Sequence, residues 1–388
     1  MGQQVLVIVG AGLEAGLLAL RLLALRAPPA ITLIDEGDGL FGPSATIRAD
    51  DLVAGDLDWL GSALVARWAG QSVRLPGSER RFSSPYYLLS PEGLRGMIGT
   101  AVTIERGRAR AVSASAVTLQ DGRRLVADLV IDARALTPHP ALVLGYHRSF
   151  GLEVDMARPH GLADPVTYDL SVAQGDGFRR LRLLPFSPTR LLVEESRYSA
   201  DGTMDDEVLN TGISAHAREH GWSIDRVVAR EKAQRPVALA FDAERYFADL
   251  PADVPVIGAR AGLFHPVTGE TVSEALQTAR LVGNTWDQGG PAVALLLRSH
   301  ALGRAREHGF LRRVSRALFG RKRPNDRGVV LSRFFGLESG LVARTLSGRS
   351  TLLDKARMTM ALPGFSLLQG PSVAFEGPLL ARGASARA

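Results

Sequence analysis

A chain of 388 residues with 46% apolar and 22% charged side chains is too long for one small domain and too apolar for disorder to dominate. It has no cysteine, which excludes a disulfide framework, a thiolate metal site and a cysteine nucleophile; no metal site is expected. The net charge of +6 invites nucleic acid, an acidic membrane or an anionic substrate, but all but three of the 46 basic residues are arginine, so local clustering carries more information than the total.

No run reaches the roughly 20 apolar residues of a spanning helix. The first residues lack a basic lead-in and a small-residue cleavage site, and a cytoplasmic protein is expected. Val5-Leu6-Val7-Ile8-Val9 is an unbroken apolar run, the pattern of a strand buried on both faces. After Gly10-Ala11-Gly12, Leu13, Leu17, Leu20 and Leu23 recur at helical spacing until Pro28 and Pro29 stop the helix. Residues 31–34 form a second buried strand, closed by Asp35. This is a βαβ unit carrying G-x-G-x-x-A at Gly10, Gly12 and Ala15. Gly10 permits the tight turn, Gly12 lets the backbone approach a pyrophosphate at the helix N-terminus, and Ala15 allows close helix–strand packing. Asp35 can accept hydrogen bonds from ribose hydroxyls. The pattern serves FAD and NAD equally.

Residues 108–132 read as an antiparallel meander turning at Asp121-Gly122, feeding a buried strand that ends at Asp132. Three strand-like runs follow, at 165–173, 178–186 and 190–196. Gly175-Asp176-Gly177 joins the first two and Ser187-Pro188-Thr189 the last two, which predicts antiparallel neighbours in one sheet. Residues 205–220 read as a helix capped by Gly221. Glu194 and Glu195 close the third run, and the two-residue period sends one to solvent and the other to the inner side. Under an apolar cover the inner carboxyl would have a raised pKa and serve as a general acid; from the residues alone the pair reads more simply as two charges at a strand end. Residues 254–258 suggest a short strand, followed by a glycine-rich loop through Gly262 and Gly269 and a helix over 270–286. That helix N-terminus suits a second return to the nucleotide. His265, before Pro266, is either part of that site or an ordinary turn residue.

Between Arg298 and Arg327 ten basic residues face only Glu307 and Asp326, with Phe310, Leu311, Val314 and Leu318 at helical spacing. Part of this stretch reads as a basic amphipathic helix, either lying on an anionic bilayer or merely solvated. No nucleic-acid module is visible.

Several blocks, in order, resemble the bacterial lycopene β-cyclase family. They are residues 10–20 (GAGLEAGLLAL), 128–134 (DLVIDAR), 159–162 (PHGL), 184–194 (LPFSPTRLLVE) and 258–269 (GARAGLFHPVTG). The similarity spans nearly the whole chain. It implies an α/β fold with a Rossmann-like FAD-binding domain (1–50, 85–150 and 251–297), an antiparallel-sheet substrate domain (51–84 and 151–250) and a helical, basic C-terminal region (298–388). It implies cyclisation of the ψ end groups of lycopene, or a related acyclic carotenoid, to β-ionone rings without net redox change, using reduced FAD with NAD(P)H as reductant. By the same resemblance Glu194 is the essential acid with Glu195 beside it. Gly10, Gly12, Ala15, Asp35, Asp132, Arg134, Gly262, His265, Thr268 and Gly269 would hold the flavin. The 298–327 region would bind peripherally to the inner face of the cell membrane. Two departures stand out: residues 42–48 carry neither His nor Trp where the family has an NHTWSFH-like block, and Ala135 follows Arg134 where the family has glycine. An FAD-dependent hydroxylase or isoprenoid reductase is the alternative, and a carotenoid-binding flavoprotein without activity a third reading.

Overall fold

The computed structural model describes residues 3–37, 40–174, 178–319, 324–362 and 375–385. A parallel sheet runs in the order Leu129–Asp132, Val5–Val9, Ala30–Asp35, Val102–Arg106. The strand Val5–Val9 is apolar throughout because both faces are covered. Leu6 and Ile8 join the helices Leu13–Leu23 and Val272–Thr285, whereas Val7 and Val9 pack on the meander of Ala109–Ser113, Ala116–Leu119 and Arg124–Val126. The strand expected at 254–258 shrinks to a single bridge between Asp132 and Val256. Pro255 has no N–H to offer a ladder, and only its carbonyl is used, by the Asp132 amide.

A seven-stranded sheet follows the order Ile224–Phe241, Leu142–Met156, Arg190–Ser199, Arg179–Pro185, Val166–Asp169, Gln71–Leu75, Ser78–Phe82. All neighbours are antiparallel except Val166–Asp169 with Gln71–Leu75. The two longest strands, of 15 and 18 residues, have no clear mark in the sequence pattern. Register shifts at Val143/Leu144, Glu153/Val154 and Asp155/Met156 reset the two-residue period between them, so no long alternation survives in the sequence. The first of these strands runs through position 150.

One face of this sheet packs Phe150, Leu152, Leu181, Leu183, Leu191 and Val193 against Leu209 and Ile213 of the helix Asp206–Glu219. Asp205 caps that helix, its carboxylate accepting from the Glu207 amide at 2.9 Å. The other face meets helices of the C-terminal region, including Gly309–Phe319 and Pro324–Gly336. A small sheet, Ala45–Arg48, Tyr86–Leu89 and Leu64–Trp68, cements the halves. Ile47, Tyr87 and Leu89 enter the nucleotide-side core, whereas Trp68, Tyr86 and Leu88 pack on Leu184 and Leu192 of the large sheet.

Candidate active site between two cavities

The nucleotide turn is built as its glycines require. Gly10 has φ +103°, and a Cβ there would lie 2.7 Å from the Ala133 carbonyl oxygen. Gly12 leads into the helix Leu13–Leu23, and Ala15 is fully buried against the sheet. Asp35 ends its strand and accepts from Arg106. Gly12 and the start of the helix Leu13–Leu23 open on a cleft lined also by Glu14, residues 41–46, Ala135, Arg182, residues 232–236 and 269–272, whereas Gly10, Ala15 and Asp35 stand behind its wall. The N-termini of both helices, Leu13–Leu23 and Val272–Thr285, border it, which suits a pyrophosphate and fits a dinucleotide. Residues 42–46 of the divergent segment 42–48, and Ala135, are thus part of the cleft wall. Glu231 tethers that segment: Ser44 Oγ donates to its carboxylate at 2.6 Å.

Other expected flavin residues stand elsewhere. Asp132 is buried and spent on two guanidiniums, Arg134 at 2.7 Å and Arg260 at 2.6 Å. Gly262, at φ +71°, packs on the Phe241 ring. His265 accepts at Nδ1 from the amides of Val267 and Thr268, at 3.3 and 3.2 Å, and donates through Nε2 to the Thr345 carbonyl at 2.8 Å. Burial lowers its pKa to about 4, so it is a neutral staple between this loop and the C-terminal helices. Gly269 alone of this loop's named residues reaches the cleft; His265 and Thr268 line a second cavity.

That second cavity lies between the large sheet and the C-terminal helices. Its wall is apolar and aromatic, with Tyr168, Phe178, Phe319, Phe334 and Phe335 among the lining residues. Tyr198 stacks on Phe319 with ring centroids 4.3 Å apart and backs this wall.

A layer of buried charge joins the two spaces. Register places Arg182, Glu194, Gly151 and Glu231 in one row across four strands, with Arg180 and Ser196 in the next row on the same face. Glu194 is 2% exposed. Arg182 Nη2 donates to its Oε2 at 2.8 Å, Arg235 lies 3.8 Å from the same oxygen, and Oε1 has no hydrogen-bond partner. Glu270 stands 3.8 Å from Arg180 and 3.9 Å from Arg48. Arg180 lines the apolar cavity and caps the Tyr168 ring at 4.6 Å, whereas Arg182, Arg235 and Glu270 line the cleft.

Two expectations are corrected here. Burial acts to raise the Glu194 pKa, but Arg182, Arg235 and Arg180 prevail and hold it below the usual carboxylate range. Glu195 does point to the opposite face, yet it meets no solvent and is 0% exposed. The helix Asp206–Glu219 covers it, its carboxylate filling the space where a Cβ at Gly212 would sit. Arg179 donates to it at 2.9 and 3.0 Å and Arg197 at 2.6 Å. It cannot reach the cleft from that face.

Arg48, Arg180, Arg182, Arg235 and Glu270 escaped the sequence reading. Two of them had a signal. The turn at Ser187-Pro188-Thr189 sets the hairpin register, which puts Arg182 opposite Glu194 and Arg180 on the same face. Arg48, Arg235 and Glu270 arrive from remote segments with no local mark.

The basic C-terminal stretch is also different from its expected form. Arg304, Arg312, Arg316 and Arg327 are buried. Arg304 grips Glu274, Arg312 donates to Glu376 at 2.8 Å, Arg316 to the Leu239 carbonyl at 2.6 Å, and Arg327 to the Leu318 carbonyl at 2.9 Å. These guanidiniums tie helices down and do not face a bilayer. Arg321, Lys322 and Arg323 lie outside the described residues, as does the turn at 175–177. Among the described residues no helix is long and apolar enough to cross a membrane.

Fold and site define an α/β protein on a dinucleotide-binding unit, with an antiparallel sheet and an apolar chamber beside it. The tetrameric form of 2-methyl-3-hydroxypyridine-5-carboxylic acid oxygenase shares this architecture, with a TM-score of 0.53 at 14% identity over 90% of this chain and 99% of that one. The chain belongs to the lycopene cyclase protein family, which matches residues 5–370. It is 36% identical over 378 residues to the lycopene beta-cyclase of Paracoccus sp., covering 96% of this chain and 97% of that protein. It is 33% identical over 363 residues to that of Pseudescherichia vulneris, covering 92% and 94%.

Proposed function

We propose that the chain is a flavoprotein lycopene β-cyclase, converting the ψ end groups of lycopene into β-ionone rings by acid catalysis without net redox change. The observation that carries this reading is the 36% identity to a lycopene beta-cyclase over 96% of the chain. The site supports it with a buried carboxyl group whose arginine neighbours line both spaces, Arg182 and Arg235 the nucleotide cleft and Arg180 the apolar chamber.

Gly10, Gly12 and Ala15 would seat the FAD pyrophosphate, Asp35 the ribose, and Gly269 with Ala135 the ring-side wall of the cleft. FAD in its reduced form, with NAD(P)H as reductant, supplies electron-rich charge against the developing cation. The chain's own residues do the rest. The apolar chamber takes the hydrocarbon and excludes water that would hydrate a carbocation. The faces of Phe178 and Phe335 would stabilise positive charge in the ring. Glu194 delivers a proton to the terminal double bond, the ring closes, and a ring proton is lost, so composition is unchanged.

The test is anaerobic incubation of the purified protein and reduced FAD with lycopene in liposomes. The expected product is a cyclic isomer of unchanged mass. A gain of oxygen or of hydrogen sinks the cyclase reading in favour of redox chemistry, and binding without conversion indicates a carrier.

Peripheral contact with the inner face of the membrane is part of this proposal, through the helix Leu352–Ala361. Its Leu352 and Leu353 are 84% and 59% exposed, with Lys355 and Arg357 beside them, and Met358 of the same helix lines the apolar chamber. Replacing Leu352 and Leu353 by serine is expected to cut sedimentation with anionic liposomes several-fold at unchanged FAD content. Undiminished sedimentation would remove this helix from the interface.

A further inference from the structure

The charge layer raises a chemical problem. An acid must carry a proton before it can give one, yet Glu194 is clamped by guanidiniums that favour its carboxylate. The clamp is shared: Arg182 and Arg235, which hold Glu194 Oε2, also form part of the cleft wall. The layer has atoms in reserve. Glu194 Oε1, Arg182 Nε and Glu231 Oε2 are buried without hydrogen-bond partners.

The groups facing Glu194 come from several elements. Arg180 and Arg182 stand on the adjacent strand, Arg235 and Glu231 on the strand Ile224–Phe241. Beyond them lie Glu270 from the loop before Val272–Thr285, and Arg48, itself paired with Asp51 at 2.9 Å, from the small sheet. Among these, Arg182 and Arg235 alone both contact Glu194 and line the cleft.

We propose that Arg182 and Arg235 couple the charge of the bound flavin to the protonation of Glu194. With neutral, oxidised flavin in the cleft, both guanidiniums hold Glu194 as a carboxylate. With the reduced flavin anion there, they are drawn to the new negative charge, and Glu194 takes up a proton at Oε1. A second anion in one buried cluster disfavours the first, and the proton relieves that repulsion. Two electrons and one proton convert the oxidised flavin into its reduced anion, and a second proton goes to Glu194; a two-electron donor such as dithionite supplies the electrons. Reduction thereby arms the acid. This explains why a reaction with no net redox change would need the reduced cofactor, and it rests on the flavin-cyclase reading above.

The test is the pH dependence of the flavin midpoint potential in the FAD-loaded protein, titrated anaerobically between about pH 6 and 8 with dithionite. Each coupled proton changes the reduction equilibrium tenfold per pH unit, about 30 mV for a two-electron couple. The native protein is expected to show two such steps per pH unit, a hundredfold change or about 60 mV. Glu194→Gln is expected to show one, about 30 mV. Arg182→Gln keeps the carboxyl but frees it from the clamp, and is also expected to fall to one, a change that a merely structural arginine would not produce. Equal slopes in the native protein and Glu194→Gln overturn the proposal. If Glu194→Gln fails to hold FAD, the native protein decides by infrared difference spectroscopy: reduction must generate a protonated-carboxyl band, and its absence overturns the coupling. A chain that binds no FAD overturns the flavin reading as well, whereas FAD binding with cyclisation and a single-proton slope overturns only this inference.

Discussion

Glu194→Gln is expected to lower lycopene cyclisation by roughly 10²- to 10⁴-fold, the usual contribution of a positioned general acid. Gln is nearly isosteric and its carbonyl can still accept from Arg182 Nη2, so the fold and the FAD content should persist. What disappears is the transferable proton. Product formation by the reconstituted, reduced protein measures this directly, and a rate within tenfold of the native value would remove Glu194 as the acid. Glu195→Gln is the internal control. Its carboxylate lies on the opposite face, bonded to Arg179 and Arg197 under a helix. Gln can still accept there, but neutralising Glu195 removes the only carboxylate bonded to Arg179 and Arg197 among the described residues, whereas Glu270 and Glu231 remain near the arginines of Glu194. The loss is expected to cost about 3 kcal/mol in unfolding free energy, the low end for a broken buried pair because both guanidiniums keep some access to water. Turnover per folded molecule should hold. The two neighbours thus separate chemistry from stability.

Gly10→Val should have the largest effect on the cofactor site. At φ +103° a β-branched residue is strained by about 1–3 kcal/mol. Its Cβ would also stand 2.7 Å from the Ala133 carbonyl oxygen, which is backbone and cannot rotate away. Forcing that contact costs about a further 1–3 kcal/mol and pushes the strand Leu129–Asp132 away from the turn. The expected outcome is a protein that purifies without bound FAD and melts well below the native Tm. A flavin-loaded variant of native Tm would show that the turn does not need this glycine.

How much was legible depends on how far each feature's causes lie along the chain. The βαβ turn could be read because Gly10, Gly12, Ala15 and Asp35 do their work within a single unit. The hairpin carrying Glu194 could be read because a short turn dictates its register. The strands Leu142–Met156 and Ile224–Phe241 could not, since register shifts reset their period. Four arginines between 298 and 327 depart from the surface pattern for a related reason. A charged residue on an amphipathic pattern signals solvent by default, and only the arrival of Glu274, Glu376 and the carbonyls of Leu239 and Leu318 turns four of those guanidiniums inward.

By itself the sequence determined the glycine turn of the βαβ unit, the family to which the chain belongs and the place of Glu194 in a hairpin strand. Those follow from short-range stereochemistry and from blocks of contiguous residues. Only the tertiary structure decided which charges surround Glu194, the burial of Glu195, and the placement of Glu194 against two arginines of the cleft wall. Coulombic and desolvation effects depend on distance and burial in space. Arg182, Arg235 and Arg180 come from two strands of the sheet, and Glu270 and Arg48 from two segments beyond it. Chain order does not record that they meet.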